Sequence, residues 1–207
     1  MGVRYGAVLF DLLTALLDSW SLWNRAAGDP AAGRRWREEY LGLTYRTGDY
    51  RPYEDLVAEA ARTRGIGADR VAALLASWDT LQPWPEAPAV VAEVAGMVRV
   101  GVVTNCSDDL GRRAAARVGV PFDAVVTAES AGAYKPRPGP YRLALDALGL
   151  PPERVLFVAG SRYDLPGATG VGMAVWWHNR IRMPRGDLPA PLAEHPTLTP
   201  LPATLAD

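Results

Sequence analysis

The sequence predicts an α/β fold, a doubly wound parallel sheet with an inserted helical segment, on three observations. Short β-branched apolar runs recur along the chain, and helix-like stretches separate the last four of them. The long stretch from Ser19 to Trp78, between the first run and the second, reads as helix throughout. None of the runs alternates polar with apolar, so each reads as a strand buried on both faces, the habit of parallel sheets. Strands alternating with helices then imply right-handed crossovers.

The first strand is expected at Ala7–Phe10. After it come four helical pieces, Trp20–Ala27, Arg35–Arg46, Tyr53–Arg64 and Ala68–Trp78, broken at Gly28-Asp29-Pro30, Gly48-Asp49 and Gly65-Ile66-Gly67. That is too much helix for one crossover. Residues 17–85 therefore read as a helical cap domain that rejoins through Pro83-Trp84-Pro85, with 1–16 and 86–207 forming the core. Ligands bind such sheets at the carboxyl ends of the strands, so the insert is expected to cover the site. The remaining strands fall at Val98–Val103, Ala124–Val126, Val155–Val158 and Met173–Trp177. A helix over Ser107–Val118 opens with Ser-Asp-Asp, good N-terminal chemistry. Another, Gly139–Leu148, closes at Gly149 ahead of Pro151 and Pro152. The Pro-rich tail from Ile181 reads as irregular, with a short strand or helix near Thr197–Leu205.

Composition narrows the function classes. Of 207 residues 49% are hydrophobic and 22% charged, which excludes a mainly disordered chain. A net charge of -1 leaves no footprint for nucleic acid or an anionic membrane. There is no secretory signal and no apolar stretch long enough to span a bilayer. Cys106 stands alone, which excludes an intramolecular disulfide framework and fits the cytoplasm. Of the 22 basic residues only Lys135 is a lysine. A compact ammonium with three rotatable donors does what a guanidinium fork cannot, so Lys135 is a candidate site residue. The alternative is one lysine that escaped an arginine bias.

The strand ends carry the chemistry. They are Asp11 in Phe10-Asp11-Leu12-Leu13-Thr14, then Thr104-Asn105-Cys106-Ser107, then Tyr134-Lys135-Pro136, then Gly160-Ser161-Arg162-Tyr163-Asp164. A parallel sheet converges these on one crevice. Two carboxylates there would repel, and an ammonium between them keeps both ionised. A positioned, ionised carboxylate attacks electrophilic carbon or phosphorus, so the residues suggest hydrolysis through an aspartyl ester. Taken singly, Asp11 reads as a turn or cap residue. Arg37, within Arg34-Arg35-Trp36-Arg37-Glu38-Glu39, reads singly as a solvated helix face.

In order and register these motifs resemble the haloacid dehalogenase superfamily, and within it the L-2-haloacid dehalogenases. Phe10-Asp11-Leu-Leu-Thr-Ala-Leu-Leu-Asp18 is similar to Phe-Asp-x-Tyr-Gly-Thr-Leu-Phe-Asp. Trp36-Arg37 matches a Trp-Arg pair of the cap, and Tyr134-Lys135-Pro136 with Tyr141 resembles Tyr-Lys-Pro with its following tyrosine. Tyr163-Asp164-x-x-Gly167-Ala168 resembles Trp-Asp-x-x-Gly-Ala, and Trp177-His178-Asn179-Arg180 resembles Trp-Ile-Asn-Arg.

The resemblance implies displacement of halide from a short 2-haloacid by Asp11, then hydrolysis of the ester, with no metal and no cofactor. It implies that Arg37 and Asn105 receive the halide beside an aromatic wall, assigned to Tyr53, and that Thr104 holds the substrate carboxylate. It implies that Lys135 orients Asp11 and that Asp164 positions Lys135 and the water. Leu12, Leu13, Ser161 and Tyr163 are expected around the substrate. Partners beyond the small molecule and its halide are limited to a homodimer, common among the relatives. Superfamily phosphatases need a second Asp where Leu13 stands and a magnesium-ligating acid where Gly160 stands. Against the dehalogenases, Leu13 replaces tyrosine, Thr104 serine and Ser161 asparagine. The alternatives are therefore a hydrolase of another small substrate such as a phosphate ester, or a non-catalytic binding protein on the same fold.

Overall fold

A computed structural model describes residues 4–206. Strand β1 (Ala7–Phe10) is buried at every residue, so the sheet is covered on both faces where it begins. The insert follows as helices α1 (Ser19–Ala27), α2 (Pro30–Arg46), α3 (Tyr53–Thr63) and α4 (Ala68–Ala76). Then come α5 (Ala87–Ala95), β2 (Arg99–Thr104), α6 (Asp108–Ala116), β3 (Ala124–Thr127), α7 (Ala128–Ala131) and α8 (Pro138–Leu148). The chain ends through β4 (Val155–Ala159), α9 (Leu165–Gly170), β5 (Ala174–His178), β6 (Ala193–His195) and α10 (Leu201–Ala206).

The six strands lie in the order β3-β2-β1-β4-β5-β6, each pair parallel. The order reverses at β1, and a crevice opens there at the carboxyl ends, between the loops after β1, β2 and β4. The five expected strands are present within a residue or so at their ends. Three elements were not expected, among them the single turn α7 that Thr127 caps. Helix α5 is the second, a run of alanine and valine whose Val90, Val91 and Val94 bury against the sheet layer. The third is β6, three residues inside the tail, too short to carry a periodicity. The tail's second element resolves as helix α10.

The insert is held by local chemistry and by an aromatic column. Asp18 caps α1 by accepting from Ser21 N at 3.0 Å, and Asp29 caps α2 by accepting from Ala32 N at 2.7 Å. Gly28, at φ 76°, turns the chain between them. Trp23 packs on Trp36 with centroids 4.7 Å apart, and Tyr53 packs between Tyr40 at 5.2 Å and Trp78 at 5.7 Å. Trp78 Nε1 donates to Leu110 O on α6 at 2.9 Å, tying insert to sheet layer. The two connecting strands also pair with each other. Asp18 N donates to Gln82 O at 2.8 Å, and Trp84 N to Leu16 O at 2.9 Å.

Candidate active site

Asp11 follows β1 directly and is buried. Its Oδ2 accepts from Thr14 N at 2.9 Å, Thr14 Oγ1 at 2.5 Å and Ala15 N at 3.1 Å. Its Oδ1 accepts from Lys135 Nζ at 2.8 Å. The same ammonium meets Asp164 Oδ1 at 2.9 Å and lies 5.5 Å from the Phe157 ring centroid. Lysine is bound between two carboxylates in a dry niche, its side chain only 3% exposed.

The electrostatics follow from that triplet. Burial alone pushes the Asp11 carboxyl up, but the Lys135 charge, its hydrogen bond and those of Thr14 outweigh it, so Asp11 stays ionised below its ordinary value. Burial pulls the Lys135 ammonium down, and the two aspartates more than offset it, leaving a permanent cation. Asp164 shares the one ammonium from the far side. Burial pushes it up to about 6, with Lys135 opposing and Asp11 adding to the rise. Tyr141 Oη reaches Asp164 Oδ1 at 3.4 Å. That approach needs Gly167, because a Cβ there would lie 2.7 Å from Tyr141 Oη and 2.6 Å from Pro136 O.

Above the triplet lies a cavity of about 30 Å³. Its floor is Asp11, Leu13, Thr14, Lys135, Ser161 and Asp164, and Asn105 and Tyr163 stand at its sides. Its roof is one stripe of α2: Arg37, Tyr40, Leu41, Thr44 and Tyr45. Tyr45 meets Tyr163 edge-on at 6.1 Å, closing the gap between insert and sheet. Arg37 is 1% exposed and has no ion pair among the described residues. Its guanidinium lies over Trp20 at 4.9 Å and Trp23 at 5.3 Å, while Nε and Nη1 have no hydrogen-bond partner. Burial lowers its pKa. A buried cation with unused donors facing a cavity is a site for an anion.

Most expected site residues meet here: Asp11, Leu13, Arg37, Asn105, Lys135, Ser161, Tyr163 and Asp164. Three do not. Leu12 points into the core with no exposure, because successive residues at a strand end face opposite sides. Thr104 does the same on β2, and its methyl packs toward Gly111, where a Cβ would lie 3.3 Å away. Thr104 Oγ1 is buried without a partner, away from the cavity lining. Tyr53 belongs to the aromatic column behind Tyr40, and the aromatic wall of the cavity is Tyr40 and Tyr45 instead. Asn105 has a second task, since its Oδ1 accepts from Lys135 N at 2.7 Å and its Nδ2 donates to Lys135 O at 3.1 Å. It fixes the lysine backbone and keeps one N–H for the cavity.

A family model for haloacid dehalogenase-like hydrolases matches residues 8–172, from β1 through α9. The chain belongs to the haloacid dehalogenase-like hydrolases. It is 30% identical over 185 residues to an (S)-2-haloacid dehalogenase of Xanthobacter autotrophicus, covering 82% of this chain and 73% of that one. It is 29% identical over 192 residues to haloacetate dehalogenase H-2 of Moraxella sp. (strain B), covering 84% and 85%. The solved L-2-haloacid dehalogenase of Xanthobacter autotrophicus with chloropropionic acid covalently bound superposes with a TM-score of 0.86, at 25% identity and 98% coverage of both chains.

Sequence reasoning missed the roof residues Tyr40, Leu41, Thr44 and Tyr45 and, on the floor, Thr14. The similar motif carries its threonine one position later, where this chain has Ala15, so the hydroxyl on Asp11 Oδ2 comes from the neighbouring residue. Gly160 has a steric reason to be glycine. A Cβ there would lie 2.1 Å from Ala15 N and 2.3 Å from Thr14 Oγ1, so no acid fits at that position without moving the Asp11 loop. Among the described residues no three His, Cys, Asp or Glu side chains are close enough to hold a metal ion.

Proposed function

We propose that this chain hydrolyses the carbon–halogen bond of short (S)-2-haloalkanoic acids, with Asp11 as the nucleophile. The observation that carries the reading is the partnerless, buried Arg37 guanidinium facing the same cavity as an ionised, lysine-held aspartate. A phosphatase needs an acid for its leaving alcohol. This cavity offers a cation for a leaving anion and has Leu13 where that acid would stand.

Asp11 Oδ1, which accepts only from Lys135, attacks C2 from behind. The carbon–halogen bond breaks with its electron pair, and the halide departs toward Arg37 and the spare Asn105 N–H in a water-poor pocket. One backside displacement inverts C2. Water then attacks Cγ of the ester and gives its proton to the Asp164 carboxylate. Negative charge develops on Oδ2, where Thr14 N, Thr14 Oγ1 and Ala15 N already converge. Collapse breaks the Oδ1–Cγ bond, the departing alkoxide takes back the proton held by Asp164 to become the 2-hydroxy acid, and the new Asp11 carboxyl loses its proton to solvent. Ser161 takes over the carboxylate contact first expected of Thr104.

We propose further that residues 17–85 act as a cap over a core of 1–16 and 86–207, of which 1–3 and 207 lie outside the described residues. No described helix is long and apolar enough to cross a membrane. A cytoplasmic location fits the lone, buried Cys106, and sedimentation velocity tests for a homodimer. The deciding experiment is halide release from L- and D-2-chloropropionate by the wild type and Asp11→Asn, with and without a chelator. Release from the L form alone, unchanged by chelator and lost in Asp11→Asn, is expected. No release from either enantiomer or from bromoacetate sinks the proposal.

A further inference from the structure

The two peptide units that donate to Asp11 Oδ2 are themselves held from behind. The Leu13–Thr14 peptide gives its N–H to Oδ2, and its carbonyl accepts from Ser19 Oγ at the start of α1. The Thr14–Ala15 peptide gives its N–H to Oδ2, and its carbonyl accepts from Trp84 Nε1 at 3.0 Å. Ser19 and Trp84 sit on the two connections between insert and core, which pair with each other through Leu17 and Pro83. Trp84 is fixed in turn. Arg180 lies over its ring at 4.7 Å, and His178 packs edge-on at 6.3 Å while meeting Ala15 O through Nδ1 at 2.8 Å. His178 stands where the similar motif has isoleucine.

We infer that Ser19 and Trp84 are positioning residues for ester hydrolysis, acting through the two peptides that hold Asp11 Oδ2. The inference rests on the aspartyl-ester reading above. A donor on a peptide carbonyl polarises the N–H of the same unit, so each outer bond strengthens an inner one. The two half-reactions feel this with opposite sign. During displacement the Asp11 carboxylate loses charge, and strong donors on Oδ2 favour the ground state. During hydrolysis Oδ2 gains charge, and the same donors favour the transition state. The connections that carry the insert therefore also set the rate of the second chemical step.

The test uses the full chain with Trp84→Phe, which keeps the ring and removes the N–H, and Ser19→Ala. Single-turnover mixing with L-2-chloropropionate gives the halide burst, and intact mass after quenching follows the Asp11 ester. Ester decay slows about tenfold in each variant, less than the hundredfold or more for loss of a direct oxyanion donor. The halide burst keeps its rate or quickens, and the ester accumulates. Equal slowing of both steps, or wild-type ester decay, in either folded variant overturns the inference, because a merely structural role would move the two steps together. A wild type that forms no ester on Asp11 overturns the function reading itself, a result seen before any variant is made.

Discussion

Replacing Arg37 with methionine separates stability from activity. In the unliganded chain the Arg37 Nε and Nη1 groups are buried without acceptors, and each such group costs about 1–3 kcal/mol. Against that, the guanidinium lies over the rings of Trp20 and Trp23, contacts of about 0.5–2 kcal/mol each. The central values leave Arg37→Met more stable by about 1.5 kcal/mol, in line with the gains seen when buried charges give way to apolar side chains. For a chain of this size that raises Tm by about 3–6 °C. The wild type should recover the difference when an anion fills the site, by about 2.7 kcal/mol at a hundredfold excess over Kd. Differential scanning calorimetry in bromide, against sulfate at matched ionic strength, measures both effects. Arg37→Met should melt higher than the wild type without bromide, ignore bromide, and release no halide from 2-haloacids. A variant that melts below the wild type, or one that keeps the bromide shift, would refute the argument that Arg37 is an unpaired cation awaiting an anion.

Three other outcomes follow from the same geometry. With Asp164 near 6 and needed as the proton acceptor, the rate of ester decay should drop about tenfold per pH unit below that value; a flat profile to pH 4.5 would remove Asp164 from the step. Single turnover in oxygen-18 water should label Asp11 and leave the first product unlabelled, and label found first in the hydroxy acid would mean direct attack of water on C2. Gly160→Ala should lose about 3 kcal/mol or more, because its methyl falls on Ala15 N and Thr14 Oγ1. A thermal melt within a degree or two of the wild type would show that the loop yields there.

The sequence made the strands and the charged triplet legible for related reasons. Buried parallel strands have no polar alternation, and Asp11, Lys135 and Asp164 stand in the segments that follow β1, β3 and β4. What it concealed was direction. One residue decides which side of a strand end faces the crevice, so Asp11 and Asn105 line the cavity while Leu12 and Thr104 do not. The roof was legible in principle. Arg37, Tyr40, Leu41, Thr44 and Tyr45 follow helical spacing, and anchoring the helix on Arg37 would have preferred Tyr45 to Tyr53. The hold of Ser19 and Trp84 on the Asp11 loop was not legible, because hydrogen bonds to backbone carbonyls leave no side-chain pattern.

Lys135, the one lysine of the chain, is 4% exposed. The folded surface therefore offers amine-reactive reagents no lysine side chain, and acylation of this side chain requires the crevice to open or the chain to unfold. Its labelling, read at the peptide that carries it, is a built-in clock for that opening, and slowing of the clock by a ligand would report occupancy without any turnover.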